Sequence, residues 1–366
     1  MAQPDPSLSA LVQLGDFLRE FLADASREAS GIADTTREAS GNKAFHQLTA
    51  TMEQARLQNP WFTREEVTYA LQQWGDLLRK DRLRKWLAAY DSPSGEPLTV
   101  ALILAGNVPL VGFHDFISVL LTGNRALLKC SSSDNILLPH LASLLTGFEP
   151  SLDGRYRFED GTLKAYDAVI ATGSNNTSRY FEYYFGSRPH IIRMNRSSVA
   201  VLTGSESPEE LGGLADDIFR YFGLGCRSVS KLFVPDGYDF DPFFTACYAH
   251  KHRIDHQKYA NNYDYNKAVY LMSGSAMLDN GFLLLKEDPG LDSPIGTLFY
   301  ETYTFMRELQ NRLDALSGDL QCVVGPDTLA GAIPFGQAQQ PALDAYADGV
   351  DTIAFLQEIP ASNPEQ

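Results

Sequence analysis

The chain has 366 residues, with 46 acidic side chains against 30 basic ones, a formal charge of −16, 44% hydrophobic residues and 21% charged ones. That negative balance argues against a nucleic-acid backbone as the main partner, and the apolar fraction excludes an intrinsically disordered chain. At about 100–200 residues per domain, the length suggests two or three domains with enough apolar material for real cores.

In chain order, residues 8–24 read as an amphipathic helix, with Leu14, Phe17, Leu18 and Phe21 on one face. A polar stretch over 25–43 carries REASG twice, too few copies for a repeat architecture. Thr63 and Glu66 form a capping-box pattern ahead of a helix whose buried stripe is Val67, Leu71, Trp74 and Leu78. The turn cluster DSPSGEP at 91–97 marks a boundary. Beyond it, the apolar run LTVALIL at 98–104 suits a strand buried on both faces. Helical periodicity over 111–121, a strand at 125–130, a helix at 134–146, a strand at 167–171 and a helix around 179–185 come next. A strand at 199–202 and a helix at 208–222 continue the alternation, which implies parallel pairing in an α/β sheet.

Four cysteines, Cys130, Cys226, Cys247 and Cys322, are widely spaced without a CxxC pair, which fits a reducing compartment. No apolar run approaches the ~18 residues needed to span a bilayer, and the N-terminus lacks the pattern of a secretory signal. The expectation is a cytoplasmic protein that is not integral to a membrane. Of the cysteines, Cys226 stands out in FGLGCRSVSK, because two glycines permit close backbone approach to a bound group. A thiolate there can attack a carbonyl and carry an acyl group as a thioester. Cys130, Cys247 and Cys322 sit in apolar segments and read as core atoms.

Three further stretches follow strand ends, where open α/β sheets place ligands. GNVP at 106–109 offers the Asn107 carboxamide as a neutral oxyanion donor, although the same sequence makes an ordinary turn. Lys129, followed by Ser131 and Ser132, suits a ribose hydroxyl or phosphate as well as it suits solvent. Thr172, Gly173 and Ser174 lead into a helix and form a phosphate cradle or a plain helix cap. The stretch HKHRIDHQK holds His250, His252 and His256 without a recognisable zinc spacing, so it reads as a solvated basic face with no metal.

Taken in order, these pieces resemble the aldehyde dehydrogenase superfamily, and within it the fatty acyl-CoA reductase (LuxC-like) branch, over roughly residues 95–358. The motifs SPIG at 293–296, PFGQAQ at 334–339 and YADGVD at 346–351 add to the likeness. The resemblance implies an α/β fold with a Rossmann-type cofactor domain, an α/β catalytic domain and an N-terminal helical region. The expected boundaries are 1–90 helical, 91–222 cofactor-binding, 223–332 catalytic, and 333–366 a C-terminal segment returning to the cofactor domain or to an oligomer interface. It implies Cys226 as nucleophile and Asn107 as oxyanion donor. Lys129, Ser131, Ser132, Thr172, Gly173 and Ser174 become the cofactor contacts. Oxidising members carry a glutamate in a segment comparable to IIRMNRSS at 191–198, which has no carboxylate. Without that base, water is a poor nucleophile toward an acyl-enzyme, which favours reduction over hydrolysis. Ser131 and Ser132 leave room for a 2′-phosphate, favouring NADPH, with NADH as the alternative.

The expected reaction is reduction of a fatty acyl thioester to the aldehyde through an acyl-Cys226 intermediate. The acyl donor is acyl-CoA, an acyl carrier protein or an acyl-transferring partner enzyme, and superfamily analogy implies a homo-oligomer. The alternatives are an aldehyde dehydrogenase, an acyl-phosphate reductase of the same fold, or a catalytically silent acyl-binding scaffold.

Overall fold

The computed structural model describes residues 6–29, 41–93, 95–173 and 175–359. It opens with helices α1 (Pro6–Ala29), α2 (Gly41–Gln58), α3 (Arg64–Leu77) and α4 (Lys80–Leu87). Strand β1 (Thr99–Ile103), α5 (Phe113–Leu121), β2 (Arg125–Lys129), α6 (Leu137–Phe148), β3 (Tyr156–Phe158), β4 (Ala168–Thr172), α7 (Asn175–Phe185) and β5 (His190–Arg193) follow. Then come β6 (Ser197–Val201), α8 (Pro208–Phe219), β7 (Val229–Pro235), α9 (Asp241–Cys247) and α10 (Gln257–Ser273). The last elements are β8 (Leu278–Asp279), β9 (Leu284–Glu287), β10 (Thr297–Tyr303), α11 (Met306–Ala315), β11 (Leu320–Val324) and α12 (Thr352–Glu358). Among the described residues, no helix is long and apolar enough to cross a membrane.

These elements form two compact units, Met1–Met194 with Ala342–Gln366, and Asn195–Pro341. The first holds a five-stranded parallel sheet in the order β3-β2-β1-β4-β5. The order reverses between β1 and β4, and the carboxyl ends of those strands frame the crevice where doubly wound sheets take ligands. Alternation along each strand divides the side chains between two cores. Val100, Leu102, Leu128 and Ile170 face a core shared with α1, α3, α5 and α6, while Ala101, Leu127, Val169 and Ala171 pack on the other side. The N-terminal helices are therefore part of this unit's core. Thr63 caps α3 by accepting from the Glu66 N–H at 3.3 Å, and Val67, Leu71 and Leu78 are fully buried below it.

The second unit carries a six-stranded sheet in the order β11-β6-β7-β10-β9-β8, parallel except for the β8–β9 pair. Residues 195–222, expected with the cofactor-binding domain, contribute β6 and α8 here, because β6 pairs with both β7 and β11. Ser207 and Glu210 close a capping box at the start of α8, and Pro208 occupies its first turn.

The chain's end returns to the first unit through polar contacts. Tyr346 accepts from the Trp86 indole at 2.8 Å and lies 2.6 Å from the Tyr90 hydroxyl, which also donates to Asp351 at 2.7 Å. Asp351 caps α12, and Arg193 donates to Thr352 at 3.0 Å while pairing with Asp115 of α5. Both members of that ion pair are buried, so β5, α5 and α12 share one charged joint. Removing one partner of a buried pair leaves an uncompensated charge, at a cost of about 3–5 kcal/mol. Asp115→Ala should lower unfolding free energy by that amount in a denaturant titration, whereas the exposed pair variant Asp76→Ala on α3 should change it by less than about 1 kcal/mol.

Candidate active site

Six of the eight residues singled out from sequence lie on the carboxyl edge of the first sheet. Ile103 of β1 is in register with Lys129 of β2 and with Ala171 of β4, so the loops leaving these strands are neighbours. Asn107 follows β1 and is half-buried. Lys129 ends β2 and donates to the Gly161 carbonyl at 3.0 Å, while Ser131 and the exposed Ser132 stand just beyond it. Thr172 ends β4, and the Gly173 N–H donates to Arg193 at 3.2 Å. Ser174 lies outside the described residues.

This edge is built by close approach. A Cβ on Gly106 would stand 2.7 Å from both Cβ and Oγ of Ser131, so only glycine lets the loop after β1 touch the loop after β2. Asp134, which the sequence pattern left without a role, ties the same loops together. Its Oδ2 accepts from the Leu110 N–H at 3.0 Å and so holds Leu110 at a φ of 60° in the turn after Asn107. From α2, the Gln58 side chain donates to the Ser132 carbonyl and to Asn135, and Asn59 donates to the Ser133 carbonyl at 3.3 Å. The N-terminal helices thus brace the serine loop directly.

Cys226 belongs to the second unit. Helix α8 ends at Phe219, after which Tyr221 and Phe222 take left-handed φ values of 54° and 56°, followed by Gly223 at 75°. Such a run reverses the chain and delivers Leu224, Gly225 and Cys226 ahead of β7. The turn is fixed from several sides. Phe222 is buried with the Arg253 guanidinium 4.9 Å from its ring centre and the His256 ring 4.6 Å away. The Ser198 hydroxyl donates to the Cys226 carbonyl at 2.8 Å, and the Cys226 thiol donates to Asn195 Oδ1 at 3.3 Å. Arg227, the next residue, donates its Nε to the Ala338 carbonyl. Asp217 accepts from the Gly336 and Ala338 N–H groups at 2.7 and 2.9 Å, fastening the PFGQAQ loop to α8.

The other cysteines differ. Burial pushes the Cys130 thiol up to about 12 and raises those of Cys247 and Cys322 as well, so none is poised to ionise near neutrality. The HKHRIDHQK stretch is not a solvated face throughout. His250 and Arg253 are buried, His250 stacks on Phe219 at 5.0 Å, and His256 caps α10, because the stretch packs against the end of α8 and the turn before Cys226. Among the described residues, no group of three or more histidine, cysteine or carboxylate side chains gathers as a metal site.

A family profile described as acyl-CoA reductase (LuxC) matches residues 19–282. The chain belongs to that family. The long-chain acyl-protein thioester reductase of Aliivibrio fischeri is 29% identical over 170 residues, covering 41% of this chain and 35% of that relative, so the match spans about a third of the relative's length. Among solved structures, an oxidoreductase from Marinobacter aquaeolei shares the fold at 13% identity, with a TM-score of 0.59 over 89% of this chain and 75% of that one. Aldehyde dehydrogenase C of Pseudomonas syringae, solved with NAD+ and octanal, matches at 14% identity and a TM-score of 0.58, over 90% of this chain and 74% of that one. The LuxC resemblance and the aldehyde dehydrogenase-like α/β fold expected from sequence are both borne out.

Burial raises the carboxyls of Asp134 and Asp217 from 3.8 to about 7 each. A carboxyl whose pKa is raised on folding binds its proton more tightly in the native state, so stability falls as pH climbs from about 4 to about 7. Asp134→Asn keeps an oxygen for the Leu110 N–H and removes one of these titrations. Urea titrations of the variant at pH 4, 5.5 and 7 should show a shallower fall in stability than the parent protein.

Proposed function

We propose that this chain reduces a fatty acyl thioester to the aldehyde, using a nicotinamide cofactor and a covalent acyl group on Cys226. The observation that carries this reading is the setting of Cys226. It is a half-buried thiol just after a left-handed turn, and its sulfur meets a neutral carboxamide at 3.3 Å. Membership of the acyl-CoA reductase (LuxC) family and the thioester reductase named in the Aliivibrio relative support the substrate class.

The chemistry follows from the residues. The Cys226 thiolate adds to the thioester carbonyl, the bond to the carrier sulfur breaks, and the departing thiolate takes up the proton that Cys226 released. Asn107 is assigned the oxyanion: a carboxamide N–H stabilises the negative oxygen while staying uncharged. When bound, a nicotinamide cofactor would supply the hydride that reduces the acyl carbonyl. Scission of the carbon–Sγ bond then frees the aldehyde and regenerates the Cys226 thiolate.

The carboxyl edge of the first sheet suits such a dinucleotide. Its loops meet at Gly106 too closely for a side chain, Gly173 opens α7 beside the β1–β4 reversal, and Lys129, Ser131 and Ser132 line one flank with donors. Neighbours of the same fold were solved with NAD+. Ser131 and Ser132 carry the assignment of NADPH as the preferred reductant, since hydroxyls accommodate a 2′-phosphate and a carboxylate repels it. Ser132→Glu should lower kcat/KM for NADPH about tenfold or more while changing that for NADH severalfold less, as read by steady-state cofactor oxidation. An unchanged NADPH/NADH ratio would move the 2′-phosphate contact elsewhere.

The central test is Cys226→Ala. Incubated with a panel of long-chain acyl-CoAs, the parent protein should gain the mass of one acyl group and, with NADPH, release aldehyde. The variant should do neither, and an adduct of equal yield in the variant would place the nucleophile on another residue.

A further inference from the structure

The PFGQAQ loop at 334–339 links α8 to the two residues that follow Cys226. On α8, Gly213 and Asp217 stand one turn apart on the same face. A Cβ on Gly213 would lie 3.0 Å from the Gly336 nitrogen and from the Phe335 carbonyl, so the loop rests directly on the helix backbone. Asp217, almost wholly buried, accepts from the Gly336 N–H with one oxygen and from the Ala338 N–H with the other. From there the loop reaches past Cys226. The Ala338 carbonyl accepts from Arg227 Nε, and Gln339 Nε2 donates to Ser228 Oγ at 3.1 Å. Ser228 in turn donates its N–H to the Gly225 carbonyl at 2.9 Å, which closes a four-residue turn with Cys226 and Arg227 at its centre.

Both anchors on α8 are costly where they stand. A glycine inside a helix costs about 0.5–1 kcal/mol relative to alanine, and a buried carboxyl is tolerated only when it is hydrogen-bonded. Neither is needed to form α8, which has its own capping box and the buried residues Leu211, Leu214 and Ile218. Their common effect is to seat the loop that grips residues 227 and 228. We infer that Asp217 is a positioning residue for acyl transfer, which acts through the PFGQAQ loop to hold the turn carrying Cys226 in its closed form. The inference rests on the reading of Cys226 as the acyl-carrying nucleophile.

Two variants cut the linkage at different points. Asp217→Asn keeps the shape and one acceptor but turns an amide N–H toward the second backbone donor, so the loop loses one bond to α8. Gln339→Ala leaves the α8 anchor intact and removes the bond to Ser228. Its half-buried position keeps the test available should Asp217→Asn fail to fold.

The experiment uses the full chain with two readouts. Hydrogen exchange without substrate follows the Ser228 amide, which should exchange about fivefold faster in either variant, the loss of one hydrogen bond in a local opening, while peptides from β10 keep the parental rate. Quenched intact-mass analysis with palmitoyl-CoA follows adduct formation. The rate at saturation should fall about tenfold in either variant, with the half-saturating concentration changed less than about twofold, because misplacement of the nucleophile slows attack and leaves binding intact. Parental exchange at Ser228 in both variants overturns the linkage. Faster exchange with parental acylation, or a loss confined to the half-saturating concentration, overturns the positioning role. Absence of any adduct in the parent protein would refute the thioester-reductase reading, and the exchange result would still decide whether the loop holds the turn.

Discussion

The left-handed turn at Tyr221 and Phe222 is the constraint on which the placement of Cys226 depends. Two successive non-glycine residues at positive φ cost about 1–2 kcal/mol each relative to helical backbone, so the surroundings must over-determine them. They do so with an unusual concentration of partners. The Phe222 ring lies under Arg253 and beside His256, and its neighbour Tyr259 is itself anchored by donating to the Phe282 carbonyl at 2.9 Å. A relaxed helix through 220–223 would release this packing and carry Cys226 away from Ser198 and Asn195. The packing around the turn thus fixes where the Cys226 backbone stands.

The first unit solves a different problem, the exposure of backbone donors at the ends of strands. Gly106 lets the loops after β1 and β2 meet, and Asp134, Gln58 and Asn59 tether those loops. The C-terminal segment contributes to the same unit through Tyr346, Asp351 and Thr352, so YADGVD is a structural clasp of that unit.

Much of this was legible in the sequence because strong local signals agree with the fold. The apolar runs at 98–104 and 167–171 became β1 and β4, and their turn-rich ends became the loops of the sheet edge. Helices α2 and α4 escaped notice, since α2 is mixed in pattern and α4 is short and highly charged. Strands β3 and β5 are too brief, and too mixed in burial, for periodicity to reveal. Asp217 carried no signal at all, because its role arises from contacts across 119 residues of chain, and the segment at 191–198 drew notice for its missing carboxylate while the bond from Cys226 to its Asn195 spans 31 residues. The basic stretch at 250–256 misled for a related reason. Its charges suggested solvent, while the aromatic faces of Phe219 and Phe222 receive His250 and Arg253 in the interior.

The claim that one directed sulfur carries the acyl group is tested most directly by mapping where that group resides. The full chain, incubated with palmitoyl-CoA and digested, should carry a hydroxylamine-sensitive acyl mass on the peptide containing Cys226 and none on those containing Cys130, Cys247 or Cys322. Acylation spread over several cysteines, or confined to one of the buried three, would contradict it.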